Sequence, residues 1–288
     1  MVLSKEQIDA FWRDGYLMAP GGVSTEQLDA LRAQLDRWVE DSRGHAENWG
    51  ETLDGMTRFD LERGHSADAP RLRRVNNPEE VADAYAVASF EAATADMVAD
   101  LIGPDVKFHH AKINTKQPRT DSKVGLHQDF SYTPHSNDDI VTALLLLDDM
   151  DDNGALEVVP GSHREGQKSL WQDGSFTGKL GPDDEAAVSA RLVPLAGKAG
   201  DVCLMHTALI HGSAPNTSDK RRSLYISVYS AADAVALAPS PLPNRFEGRI
   251  VRGQPARRAR LTVGEVELPS DHRGSFFHLS GQGTNAGG

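Results

Sequence analysis

Cysteine is all but absent from this chain of 288 residues, where Cys203 is the only one. No intramolecular disulfide can form, which suits a reducing cytoplasm. Cys203 lies in the apolar run that leads to His211, so a buried, inert thiol is expected there. A signal peptide is also lacking: the amino terminus has no charged start followed by an apolar core, and no apolar run reaches membrane-spanning length. These absences predict a soluble protein with no membrane partner. Basic charge is in deficit, since 30 Lys and Arg against 42 Asp and Glu leave a formal net charge of -12. That balance argues against nonspecific nucleic-acid binding and leaves a small-molecule substrate as the expected partner. Internal repeats, low-complexity runs and linkers are missing too, so residues 1–288 are expected to form a single domain. The one Gly-rich polar stretch, Ser280 to Gly288, reads as a frayed tail.

What is present divides by hydrophobic period. Ser4 with Gln7, and Ser24 with Gln27, each fit a capping box that opens a helix. Leu28, Leu31, Leu35, Trp38 and Val39 then form an apolar stripe at helical spacing. Asn77-Pro78 predicts a further helix, carried by Val81, Tyr85, Ala88, Met97, Val98 and Leu101 and closed by Gly103-Pro104. Beyond it the period changes. Strand-like segments near 106–114, 126–132, 139–147, 155–159, 201–211 and 222–230 predict a mainly β fold with flanking helices, a double-stranded β-helix of the jelly-roll, cupin-like class. The expected division is a helical amino-terminal part (1–103), a jelly-roll core (104–235) with an insert near 160–200, and a C-terminal extension (236–288).

Chemistry concentrates in two short motifs. In Gly-Leu-His-Gln-Asp-Phe, His127 and Asp129 stand two apart, so an extended segment turns both to one side while Gln128 points away. His211 lies far along the chain, and only a closed sheet would bring it back to them. Two imidazoles and one carboxylate leave open positions on a divalent metal, the facial arrangement of non-heme Fe(II) oxygenases. A structural zinc site closes its fourth position instead. After His211 a cluster of turn formers, Gly212 to Lys220, precedes the strand-like Arg222 to Tyr229. A hairpin is expected, folding Arg222 opposite His211, where a guanidinium can grip a dicarboxylate whose other end chelates the metal. Lys220 and Arg221 compete for that role.

These motifs come with three others: Phe11 to Tyr16, Asn153-Gly154-Ala155-Leu156 running into Val159-Pro160-Gly161-Ser162-His163, and the stretch from His211 through Asn216 to Arg222. Together they resemble the phytanoyl-CoA dioxygenase family of Fe(II)/2-oxoglutarate-dependent oxygenases over most of the chain. The resemblance implies His127, Asp129 and His211 as ligands of Fe(II), with 2-oxoglutarate chelating the metal and O2 taking the remaining position. It favours Arg222 over Arg221 as the 2-oxoglutarate anchor, because the family's arginine follows its distal histidine at this spacing. The implied reaction is hydroxylation of a small polar metabolite with release of succinate and CO2. Halogenating relatives replace the carboxylate by a small residue, so Asp129 points to oxygenation.

Further candidates come from alternation and composition. His110, Lys112 and Asn114 share one face of a strand and suggest a lined pocket. By resemblance, Asn114 and Lys112 become co-substrate contacts and His110 a substrate contact, with a solvent-facing edge strand as the alternative. Ser213 either helps hold the co-substrate carboxylate or caps a turn. Arg73 and Arg74 can receive a carboxylate, phosphate or phosphonate, or else pair with surface acids. Tyr132, Trp171 and Phe130 can bracket an amine by cation–π contact. An aminophosphonate, as in a bacterial branch of the family, an amino acid derivative or a natural-product intermediate would suit such residues. His163 is expected to stabilise its turn or touch the site, and His206 to pack on the face opposite His211. The insert, with Trp171, Gly174, Gly178 and Gly181, reads either as a lid or as a plain surface excursion. Two rivals to a hydroxylase stand: a same-fold oxidase doing desaturation, epoxidation or cyclisation, and a non-catalytic cupin-like metal-binding module. An intact Arg222 speaks against the second.

Overall fold

The computed structural model describes residues 1–270; the Ser280 to Gly288 tail lies outside them. Both amino-terminal helices start where their capping boxes place them. Ser4 Oγ accepts from the Gln7 N–H and Gln7 Oε1 from the Ser4 N–H ahead of α1 (Lys5–Asp14), and Ser24 and Gln27 repeat the exchange ahead of α2 (Thr25–Asp41). Leu28, Leu31, Leu35 and Trp38 form the buried side of α2. The single helix expected after Asn77-Pro78 is instead a 3-10 turn over Pro78–Glu80 followed by α3 (Asp83–Phe90) and α4 (Ala93–Ile102). Periodicity explains the break: from Ala88 to Met97 is nine residues, about half a turn out of phase on a helix of roughly 100° per residue, so one straight cylinder cannot bury both groups. The fifth helix, α5, spans Pro182–Ser189.

The strands are β1 (Tyr16–Ala19), β2 (Trp49–Glu51), β3 (Thr57–Leu61), β4 (Leu72–Asn76), β5 (Val106–Lys116), β6 (Val124–His127), β7 (Ile140–Leu146) and β8 (Leu156–Val158). They continue with β9 (Trp171–Gln172), β10 (Ser175–Phe176), β11 (Val193–Pro194), β12 (Val202–His206), β13 (His211–Ser213), β14 (Arg222–Ala231) and β15 (Ile250–Arg252). The main sheet runs β1-β12-β7-β14-β5-β4-β3-β2 with β15 also on β5, and the smaller sheet runs β11-β8-β13-β6. This is the expected jelly roll, but the amino-terminal part is not purely helical, since β1 to β4 all join the main sheet. The insert folds into the β9–β10 hairpin, α5 and β11, the last of which pairs with β8.

The main sheet buries apolar side chains on both faces. Tyr225, Tyr229, Phe108, Ala111 and Ile113 pack outward against the residues of α1 to α4, while Leu144, Leu146, Leu224 and Ile226 pack inward with Leu156 and Val158 of the smaller sheet. Phe108 and His110 would share a face under strict alternation, yet Phe108 pairs with Tyr229 and His110 with Val228. His109 is therefore the extra residue of a β-bulge, and it shifts the phase so that His110, Lys112 and Asn114 turn inward.

Candidate metal centre and co-substrate pocket

Strand pairing brings two of the three candidate ligands together. His211 on β13 is the direct cross-strand partner of His127 on β6, and their rings lie 4.2 Å apart. The strand expected over 126–132 stops at His127; Gln128 stays extended (φ -118°, ψ 127°) and Asp129 opens a 3-10 turn. Asp129 thus keeps to the side of His127, with Oδ1 3.4 Å from His127 Nε2 and 3.7 Å from His211 Nε2. Gln128 points elsewhere and fastens the chain, donating to the Gly166 and Ala208 carbonyls. The strand expected over 201–211 is also two strands: β12 ends at His206 in the main sheet and β13 starts at His211 in the smaller one. The intervening turn carries the chain from one sheet to the other.

The donor atoms of His127, Asp129 and His211 all lie within 4.8 Å of one another. Each imidazole donates through Nδ1 to the carbonyl two residues upstream, His127 to Gly125 at 2.8 Å and His211 to Leu209 at 3.0 Å. Both Nε2 lone pairs are thereby left for a metal. Thr142 on β7 donates to Asp129 Oδ2 at 2.7 Å, which holds the carboxylate and leaves Oδ1 facing the imidazoles. Burial, and then His127, push His211 down to about 4, so it is neutral and able to ligate at neutral pH. Burial raises Asp129, but His211, His127 and Lys112 together outweigh it and hold the group ionised well below the usual carboxylate range. Two imidazoles and a carboxylate fit a divalent cation with positions left open.

The triad opens on a cavity between the sheets. Arg222 lies in it, but not by the expected hairpin: His211 begins β13 in the smaller sheet, whereas Arg222 begins β14 in the main sheet and pairs with Lys116. The turn-forming run between them is a crossover. Arg222 is buried and donates from Nε and Nη2 to the Gly154 carbonyl at 3.1 and 2.8 Å. Burial lowers it only to about 10, so it remains a cation. Gly154 itself has φ 80°, and a Cβ there would stand 2.9 Å from Lys116 Cδ and 3.0 Å from the Ala214 carbonyl, so only glycine fits. Arg221 faces away, paired with Asp148 and Asp36, and Lys220 pairs with Asp151.

Asn114, Lys112, Ser213, Arg73 and Arg74 all line the same cavity, and β5 is an interior strand rather than an edge. Arg74 is buried, so it is no surface ion-pairing group. His110 and Tyr132 line a smaller adjoining cavity, where the Tyr132 ring stands 5.8 Å from His127. Trp171 lines neither: its Nε1 donates to the Leu268 carbonyl and its ring packs on Phe176. Phe130 is core, packed with Ile140 and Val228. An aromatic bracket therefore does not form. His163 lies by α1, its Nε2 3.2 Å from the Trp12 carbonyl, and His206 is buried beside it. Cys203 is buried as expected, and burial pushes its thiol up to about 12. Two residues escaped the sequence reading. Thr142 gives no signal within an apolar run, whereas Lys116 continues the alternation of Lys112 and Asn114 by one step. Burial, and then Arg222, bring Lys116 down to about 6, and it donates to the carbonyls of Ser213 and Ala214.

Residues 11–224 match the phytanoyl-CoA dioxygenase family. A probable alpha-ketoglutarate-dependent hypophosphite dioxygenase from Stutzerimonas stutzeri is 32% identical over 216 residues, which is 73% of this chain and 74% of the relative. An L-proline trans-4-hydroxylase from Streptomyces griseoviridis is 28% identical over 257 residues, 80% of this chain and 88% of the relative. The fold is shared with the crystal structure of EctD from S. alaskensis with bound Fe, at a TM-score of 0.69 and 22% identity over 90% of this chain and 89% of that one. The chain belongs to the phytanoyl-CoA dioxygenase family of Fe(II)/2-oxoglutarate-dependent oxygenases.

Proposed function

We propose that this dioxygenase hydroxylates a small polar metabolite, with His127, Asp129 and His211 holding Fe(II) and Arg222 anchoring 2-oxoglutarate. The protein is a 2-oxoglutarate-dependent non-heme iron enzyme, and succinate and CO2 are its co-products. One observation carries the assignment of roles: three donor atoms within 4.8 Å, with both imidazole Nδ1 atoms already committed to backbone carbonyls. Bound iron, with 2-oxoglutarate and dioxygen, supplies the oxidising power for insertion of oxygen into a substrate bond. The chain's own residues set the geometry. Thr142 fixes the carboxylate, the upstream carbonyls fix the rings, and Arg222 offers its guanidinium to a remote carboxylate. Leu144, Leu156, Leu224 and Ile226 exclude water around these groups and so strengthen their attraction.

A small polar substrate is supported by the charged and polar groups that line the cavity and by the relatives, which are named for hypophosphite and L-proline. Among the described residues no helix is long and apolar enough to cross a membrane. The buried Cys203 fits the reading of a cytoplasmic protein.

The deciding experiment supplies Fe(II), 2-oxoglutarate and oxygen with panels of small acids and amino acid derivatives, and reads succinate. A product heavier by one oxygen atom supports hydroxylation. A product lighter by two hydrogens moves the enzyme to the desaturating class. Iron binding with no succinate under any substrate overturns the reading in favour of a metal-binding module.

A further inference from the structure

Beside the cavity assigned to 2-oxoglutarate, the described residues line a second one. It shares Arg74, Lys112, Asp129 and Ile226 with the first but is closed by other residues, His110, Tyr132, Thr133, Val228, Pro241 and Leu242. Arg222, Lys116 and Ser213 are confined to the first. Both cavities reach Asp129, so a molecule in the second lies against the metal centre without competing for the Arg222 end.

Arg74 is the informative group at this boundary. Strand register sets Arg74 beside Asn114, and Asn114 beside Leu224, so all three side chains rise from one face of the sheet into the space between the sheets. Arg74 is 2% exposed, its Nε has no hydrogen-bond partner, and among the described residues no carboxylate oxygen lies within 4.0 Å of it. Asp60, its cross-strand neighbour, attracts it electrostatically but makes no ion pair with it. A buried cation left in this condition is destabilising, unless an anion arrives from outside. The surroundings agree. Among the described residues, four cationic side chains (Arg73, Arg74, Lys112 and Arg222) and one carboxylate, Asp129, line the two cavities together. Asp60 and Glu62 attract Arg73 and Arg74 electrostatically, and among the described residues these cations still outnumber the acids. A divalent metal and a doubly charged 2-oxoglutarate cancel each other, so the excess remains when the first cavity is filled.

We propose that the second cavity is the substrate pocket, and that Arg74, with Lys112 beside it, holds the oxyanion end of a small acid there. A guanidinium fork receives a carboxylate and a phosphorus oxyanion by the same paired hydrogen bonds. Among the described residues, Ile226 and Val228, which stand beside Lys112 and His110 on the same sheet face, form with Pro241 and Leu242 an apolar wall that offers no second charge. The substrate is therefore a small acid charged at one end, its uncharged remainder lying on the apolar wall. The proposal rests on the reading of Arg222 as the co-substrate anchor, and the test separates the two.

The full-length protein is loaded with Mn(II) and 2-oxoglutarate, which prevents turnover, and titrated calorimetrically with propionate and with methylphosphonate. At least one probe should bind, and the pair distinguishes a carboxylic from a phosphorus acid. Arg74→Gln should weaken that binding at least tenfold while 2-oxoglutarate affinity stays within twofold. If the glutamine variant does not fold, Arg74→Lys carries the same comparison, with a loss of at least threefold expected because the charge stays and the fork goes. Absence of binding by both probes, or binding indifferent to Arg74, overturns the assignment. Equal weakening of 2-oxoglutarate and probe overturns it as well, by moving Arg74 into the co-substrate site. Failure of the wild-type protein to bind 2-oxoglutarate would sink the Arg222 reading and this one with it, whereas 2-oxoglutarate binding without probe binding sinks this one alone.

Discussion

The two faces of β14 are equally buried and chemically opposite. Tyr225 and Tyr229 face the helices, where their hydroxyls meet the Tyr85 and Ser89 carbonyls at 3.2 and 2.9 Å and their rings pack edge-on against Tyr85 and Phe108. Arg222, Leu224, Ile226 and Val228 face the other sheet, and the strand beside them presents Lys112 and Asn114. Every polar atom of those two tyrosines is matched. The inner face instead holds cations whose charged forms burial disfavours, Arg222 and Lys112 brought down to about 10 and about 8. Burial therefore does not separate a stabilising layer from a working one; the charge of the buried groups does.

The sharpest way to break this contrast is at the metal. His127→Ala, Asp129→Ala and His211→Ala should each take succinate formation to background and remove bound iron, with little loss of thermal stability, as read by coupled assay, iron analysis and calorimetric melting. On the outer face the pattern should invert. Phe108→Ala should cost about 3–5 kcal/mol in denaturant unfolding while succinate formed per folded molecule is unchanged. Next in size, Arg222→Ala should weaken 2-oxoglutarate by roughly 10–100-fold, the equivalent of about 1.5–3 kcal/mol for a charged hydrogen bond, with iron retained. Arg221→Ala, which removes a partner of Asp148 and Asp36 on the other side of the chain, should leave that affinity unchanged in the same titration. The smallest effect is expected at Thr142→Val, which keeps shape but frees Asp129 Oδ2; Fe(II) affinity should fall by about tenfold, read by metal titration.

Much of this was visible in the sequence because short-range rules survive folding. The two-residue spacing of His127 and Asp129 keeps them on one side even though the strand ends between them, and both capping boxes act locally. The failures are nonlocal. A run of turn formers is the same whether it closes a hairpin or carries the chain between sheets, so the partner of Arg222 could not be read from the residues after His211. The strands β1 to β4 are three to five residues long, too short for periodicity to declare, and they exist because a distant edge receives them. Trp171 has the right chemistry for a cation bracket, but nothing in its neighbours tells which way a hairpin of the insert will face. Thr142 carries a single hydroxyl among aliphatic residues, and its value appears only when β7 lies under Asp129.

The supernumerary His109 also has a bearing on how the largest sheet closes. If β5 slid by one position so that this histidine took a regular place on the ladder, every side chain after it would change sides. Lys112 and Asn114 would then enter the aromatic layer beneath the helices, and Ile113 would face the cavity between the sheets. Such a misaligned ladder would sink an ammonium and an amide into hydrocarbon, so slippage penalises itself and the sheet zips in one alignment.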